Sequence, residues 1–138
     1  VAIVGSFHRS YPEVRRAAAA VTAAGLAVIA PPVNSTIVNP ADDFVRFDTD
    51  PPERSNEEVQ ARTLARILTA DLVFVVAPDG YIGPTTCYEL GWVEARGVPT
   101  FYSHRVKDLP IRIPAGAVRD AETLAASLAA GGQIALTG

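Results

Sequence analysis

Cysteine and histidine are scarce in this 138-residue chain, and their scarcity excludes several classes of protein. The single cysteine, Cys87, rules out an internal disulfide and any zinc or iron–sulfur site built from several cysteines. Two histidines, His8 and His104, are too few for a multi-histidine metal centre, so we expect neither a metal nor a cofactor. The core must therefore be built from apolar side chains alone, and the length suits one domain.

Long apolar runs and an excess of positive charge are also missing. No stretch approaches the ~20 apolar residues that a membrane-spanning helix needs, and no signal peptide is visible. The net charge of −3 argues against a broad basic surface for a nucleic-acid polymer. The composition, 49% hydrophobic and 20% charged, is that of a globular protein. We expect a cytoplasmic protein that binds a small molecule rather than a membrane or a nucleic acid.

Short apolar runs alternate with amphipathic helical patterns along the chain. Runs without polar alternation are typical of strands buried on both faces of a parallel sheet, and they occur at 1–4, 26–30, 72–77 and 98–102. Helices are predicted to begin at Ser10, Ser55, Pro84 and Asp120. This order predicts a single doubly wound, Rossmann-like (flavodoxin-like) α/β domain over residues 1–138, with four or five parallel strands.

Ligands of such sheets bind beyond the carboxyl ends of the strands, where the strand order reverses. The loops that converge there are predicted to be 5–10 and 78–86. A long, lid-like loop at 31–57 holds five of the eleven prolines. Its acidic excess leaves the rest of the chain slightly basic, which suits a small anionic ligand. Phe44 and Phe47 either anchor this loop to the core or face the ligand.

The segment 78–91 is the strongest candidate for a site, because it joins a buried strand to a helix. Gly83 or Thr85 is expected at the amino end of that helix, where free backbone N–H groups attract anions. Thr85 and Thr86 add hydroxyl donors, and Glu89 follows one turn later on the same face. The Glu89 carboxylate either attacks an electrophilic carbon, binds sugar hydroxyls, or merely favours the helix dipole.

Three segments resemble the nucleoside 2-deoxyribosyltransferase superfamily, which includes the deoxynucleoside 5′-monophosphate N-glycosidases. They are Gly5-Ser6-Phe7-His8-Arg9, Thr69-Ala70-Asp71 and Tyr88-Glu89-Leu90-Gly91. The resemblance implies that Glu89 attacks C1′ of the sugar and forms a covalent glycosyl-enzyme. It also implies a 5′-phosphate held by Ser6, Arg9, Thr85 and Thr86, and it favours a homo-oligomer. The full set of candidate substrate-binding residues is Gly5, Ser6, Phe7, His8, Arg9, Tyr81, Gly83, Thr85 and Thr86.

The sequence departs from the family pattern at the proton donor. Thr63 stands where many members have an aspartate that assists the leaving base, and Gly83 stands where another acid is often found. Asp79, His8 or an acid of the 41–58 segment could replace that aspartate, and Asp79 joins Glu89 as a candidate catalytic residue.

Three functions remain open on the sequence alone. The first is an N-glycosidase or deoxyribosyltransferase that acts on a nucleoside or nucleoside 5′-monophosphate. The second is a non-catalytic module that senses nucleotides. The third is a cytokinin-type phosphoribohydrolase, whose glycine-rich signature is echoed with altered spacing by Pro78, Gly80, Gly83, Thr85 and Glu89.

Overall fold

The computed structural model describes residues 1–131 except Val33 and Asp108. In this part of the chain, a three-stranded parallel sheet has the order β1 (Ala2–Gly5), β2 (Val73–Val76) and β3 (Thr100–Tyr102). All four residues of the central strand β2 are buried, as its unbroken apolar sequence predicts. The predicted α/β class is confirmed.

Four helices accompany the strands in the described residues. They are α1 (Phe7–Ala23), α2 (Asn56–Ile67), α3 (Pro84–Ala95) and α4 (Ala121–Ala129). Helix α1 follows β1 directly, α3 follows β2 after one short turn, and α1 packs against α4. No helix in this part of the chain combines the length and the apolarity that crossing a bilayer requires.

The prediction of four or five strands is wrong for the described residues. The expected strand at 26–30 contributes one isolated bridge, in which Ile3 N–H donates to the Ala30 carbonyl at 2.8 Å. Pro31 and Pro32 follow at once, and because proline has no backbone N–H the segment cannot extend the ladder. At the opposite edge Val118 makes a similar single bridge to β3.

The start of α1 also differs from the prediction, whereas the other helix starts are confirmed. Ser6, not Ser10, is the N-cap, and its hydroxyl oxygen accepts the Arg9 N–H at 3.3 Å. Ser10 lies at a kink inside the helix, with φ −126° and ψ 23°. Pro12 explains the kink, because it cannot donate the helical hydrogen bond to the carbonyl four residues earlier. The helix therefore begins at the carboxyl end of β1.

An aromatic cluster fixes the long loop to the domain. Phe47 is buried, with ring centroids 5.8 Å from Phe7 and 6.0 Å from Tyr11. Ile37 pairs with Phe47 in a single antiparallel bridge. Phe47 thus anchors the loop to α1, and the loop lies against the end of the sheet where β1 and β2 finish.

Candidate active site

A cavity of about 730 Å³ opens beyond the carboxyl ends of β1 and β2. Its lining includes Gly5 at the end of β1, Ser6 directly after β1 and Gly83 in the turn after β2. Small-molecule sites in proteins typically enclose about 300–1,000 Å³, so the cavity has room for a ligand of nucleotide size. Its position is the one that ligands of parallel α/β sheets usually occupy.

Two helices begin at this cavity, and their amino ends leave backbone donors for a ligand. Gly83 is the N-cap of α3 and makes no side-chain cap, while Pro84 has no N–H to offer. The N–H groups of Thr85 and Thr86 therefore have no acceptor within the helix. Neither α1 nor α3 carries an acidic residue in its first turn. The two positive helix ends make this part of the cavity attractive to an anion.

Hydroxyl groups surround the amino end of α3. A Cβ atom built on Gly83 would lie 3.8 Å from the Tyr81 hydroxyl and 3.9 Å from Ser6 Oγ. Because the Ser6 oxygen accepts the Arg9 N–H, its hydroxyl hydrogen remains available as a donor. Thr86 is buried beside them at the third position of α3. Backbone and side-chain donors thus converge where the two turns meet.

Helix α3 carries Glu89 one turn further into the cavity. The side chain is only 6% exposed, and its Oε2 accepts a hydrogen bond from Gln60 Nε2 at 3.1 Å. Burial raises the pKa of Glu89 to about 7, although the hydrogen bond from Gln60 opposes the shift. In the described structure no hydrogen bond reaches the other carboxylate oxygen. Such a group in a cavity is characteristic of a functional site.

Most of the residues predicted for the site line this one cavity. They are Gly5, Ser6, Phe7, His8, Tyr81, Gly83, Thr85, Thr86 and Glu89. Arg9 stacks on the Tyr81 ring, with the guanidinium carbon 4.0 Å from the ring centroid, and so lies at the rim. Asp79 is exposed, has a positive φ of 58° and does not line the cavity. The structure therefore separates the two carboxylates that the sequence proposes as catalytic.

The long loop forms one wall of the cavity and is tied to α1 through His8. His8 Nδ1 lies 3.2 Å from the Pro40 carbonyl, and Nε2 lies 3.8 Å from Asp43 Oδ1. Phe44 is half-buried and lines the cavity, as does the anchoring residue Phe47. Residues of the long loop therefore contribute to the lining of the cavity.

Helix α2 supplies a wall that the sequence does not reveal. Ala61, Leu64, Ala65 and Leu68, which share one face of the helix, line a separate surface groove. Val59 and Ile67 are buried, and beside them Gln60 reaches Glu89. The remaining cavity-lining residues of this wall are Arg54, Arg62, Thr63 and Arg66. The sequence signal that could have revealed this wall is Gln60, a polar residue next to the buried position Val59.

Comparisons of the chain with protein-family models, with curated proteins and with solved structures give no match. Among the described residues, no three histidine, cysteine, aspartate or glutamate side chains come together as metal ligands would.

Proposed function

We propose that the chain is an N-glycosidase or deoxyribosyltransferase that cleaves the N-glycosidic bond of a nucleoside or nucleoside 5′-monophosphate. The observation that carries the proposal is the buried Glu89 carboxylate, one helical turn inside an anion-attracting helix end. A phosphate bound at that end, beside Ser6 and Thr86, would leave the sugar to extend inward toward Glu89. The resemblance to the deoxyribosyltransferase superfamily agrees with this arrangement.

Glu89 acts as the nucleophile in this proposal. Gln60 holds Oε2, so the other carboxylate oxygen attacks C1′ while the bond from C1′ to the base nitrogen breaks. Water or a second base then attacks C1′ of the glycosyl-enzyme and releases the carboxylate, with retention at C1′. Only the ionised carboxylate can attack, so activity should rise with pH through the Glu89 pKa of about 7.

A non-catalytic module that senses nucleotides is the second candidate. Two observations favour it: Thr63 lines the cavity where the resembling family has an acid, and Asp79 lies outside the cavity. Such a module would bind the same nucleotide at the same helix ends. It would leave the glycosidic bond intact.

The test is release of free base from a panel of nucleosides and their 5′-monophosphates, followed by chromatography. Glu89→Gln keeps the side-chain shape and removes the charge, so it should bind ligand and lose nearly all base release. Glu94→Gln is the matched control, because Glu94 is an exposed glutamate on the same helix. Binding without base release by the unchanged protein would favour the sensing module.

We also propose a cytoplasmic homo-oligomer. Tyr88 and Trp92 of α3 are 58% and 40% exposed beside the surface groove that holds the apolar stripe of α2. Glu57 and Arg96, of opposite charge, line the same groove.

A further inference from the structure

Three arginines, Arg54, Arg62 and Arg66, line the side of the cavity formed by α2 and the residues just before it. No carboxylate in the described residues lies within ion-pair distance of any of them. The Nε of Arg54 is buried and has no hydrogen-bond partner there. A buried donor without an acceptor costs free energy unless a ligand supplies one. Arg62 and Arg66 are exposed, whereas Arg54 is half-buried. The three residues, called the arginine wall below, can supply donors to the negative charge or the oxygen atoms of a ligand, with the buried Arg54 Nε as the donor that lacks an acceptor.

The aspartates and the histidine that line the cavity already have partners within the protein. Asp50 Oδ2 accepts the Phe47 N–H at 2.8 Å. His8 must donate from Nδ1 to the Pro40 carbonyl, and its Nε2 faces Asp43. The Tyr81 hydroxyl lies at the other end, near Gly83. On the arginine wall the neutral side chains are Gln60 and Thr63, and the carboxylate that adjoins this wall, through Gln60, is the nucleophile Glu89.

We propose that the arginine wall receives the departing base as an anion, and that the substrate carries an oxo-base rather than an aminopurine. This inference rests on the proposed glycosidase function. Oxo-bases of the uracil, thymine or xanthine type carry carbonyl oxygens, which take up the charge of the departing anion and accept hydrogen bonds from guanidinium groups. Adenine has no such oxygen, and its departure benefits from protonation of its ring, which requires an acid.

One oxygen of Glu89 forms a bond to C1′, the bond from C1′ to the base nitrogen breaks, and its electron pair remains on the base. The charge spreads onto the exocyclic carbonyl oxygens of the base, where guanidinium N–H groups stabilise it. Water then attacks C1′, the bond to Glu89 breaks, and the proton lost by the water neutralises the base. The products are the free sugar or sugar phosphate and the neutral base.

The pH dependence separates this mechanism from proton donation. The titratable groups that line the cavity besides Glu89 and the arginines are His8, Asp43, Asp50 and Tyr81. Arginine stays protonated throughout the accessible range, so base release should rise as Glu89 ionises and then remain level. A protonated acid that assists the base would instead produce a bell-shaped profile with a falling limb.

The experiment measures kcat/KM for base release from 2′-deoxyuridine and 2′-deoxyadenosine 5′-monophosphates between pH 5 and 9. The uracil substrate should be faster by about tenfold or more, with a level profile at high pH. Arg54→Gln should lower uracil release by about 10²-fold, the size expected for loss of one preorganised donor. Arg112→Gln is the control, because Arg112 is exposed and outside the cavity.

A leaving-group comparison distinguishes a chemical role of Arg54 from a structural one. Replacing uracil by the more acidic 5-fluorouracil should increase the rate more in Arg54→Gln than in the unchanged protein, because the variant stabilises the anion less. A structural defect would slow both substrates equally and would overturn the role of Arg54.

Two further outcomes would overturn the inference while leaving the glycosidase proposal intact. One is faster release of adenine than of uracil. The other is a falling limb at high pH that disappears in His8→Asn, which would assign proton donation to His8. If the unchanged protein released no base from any nucleoside or monophosphate, the glycosidase proposal itself would fail, and this inference with it.

Discussion

At the scale of single residues, the burial of Glu89 is the feature that most needs explanation. A carboxylate that is 6% exposed and receives one hydrogen bond, from Gln60, loses more in hydration than that neutral amide restores. Its raised pKa is the measure of that loss. A residue kept for stability alone would be better replaced by a neutral isostere. Its position in a ligand-sized cavity is the one that the proposed nucleophilic role requires.

The stability consequence of Glu89 can be tested directly. The pKa of Glu89 is about 7 in the folded protein against an ordinary value of 4.5, so the folded state binds the extra proton between these two pH values. The contribution of Glu89 to the free energy of unfolding is therefore fully present below pH 4.5 and is lost as the pH rises through about 7. Glu89→Gln should be more stable than the unchanged protein by about 1–3 kcal/mol at pH 8, with no difference below pH 4.5. Urea unfolding at both pH values measures this, and equal stability at pH 8 would contradict it.

Two glycines provide a matched pair of tests. A Cβ on Gly5 would lie 2.7 Å from the Val76 carbonyl oxygen, so Gly5→Ala should destabilise the fold by about 1–3 kcal/mol. A Cβ on Gly83 meets only ordinary contacts, and its φ of −75° suits alanine. Gly83→Ala should therefore fold normally and weaken monophosphate binding, because the methyl group fills the space between Tyr81 and Ser6. Thermal unfolding and calorimetric titration separate the two effects, and unimpaired binding by Gly83→Ala would count against this anion site.

At the scale of elements, the paired amino ends of α1 and α3 predict how the phosphate is recognised. A nucleoside monophosphate should bind more tightly than its nucleoside. The ratio of the nucleoside dissociation constant to the monophosphate dissociation constant should fall about tenfold in Arg9→Ala, because Arg9 at the rim can add a charge-assisted hydrogen bond to the phosphate. Arg16 is an exposed arginine on the same helix, and Arg16→Ala should leave this ratio unchanged. Equal affinities for nucleoside and monophosphate in the unchanged protein would exclude a phosphate site.

The sequence predicts elements well where local chemistry decides them. Ser55, Pro84 and Asp120 mark helix starts because capping and a proline in the first turn act within a few residues. The helix start predicted at Ser10 is wrong, because the proline and the acid that follow Ser10 form a pattern that resembles a helix start. The true cap, Ser6, is recognisable only from where β1 ends.

The α2 wall of the site is beyond local prediction for a different reason. The stripe formed by Ala61, Leu64, Ala65 and Leu68 has the spacing of a buried face, yet it lines a surface groove. Which face of a helix meets the core depends on how the helix packs on the sheet. Gln60 becomes visible as a partner of Glu89 only after that packing is known, although 29 residues separate them in the chain.

At the scale of the whole molecule, the apolar groove predicts self-association. Light scattering should give about twice the mass of 14.6 kDa. Trp92→Glu should shift the protein toward the monomer, because it introduces a charge into the apolar contact. Val38→Glu is the control, since Val38 is 59% exposed but lies outside the groove. A monomer mass at every concentration, or equal dissociation by both variants, would contradict this interface.

The central claim is that Glu89 becomes covalently linked to the sugar, and the most direct measurement is the mass of the protein after reaction. A slow 2′-fluoro nucleoside monophosphate should trap the glycosyl-enzyme. The account predicts a mass increase equal to one fluorosugar phosphate, mapped by peptide analysis to Glu89, present in Glu94→Gln and absent in Glu89→Gln. Two results would contradict the claim. One is release of base by the unchanged protein without any adduct, and the other is a Glu89→Gln variant that keeps more than about a tenth of the activity of the unchanged protein.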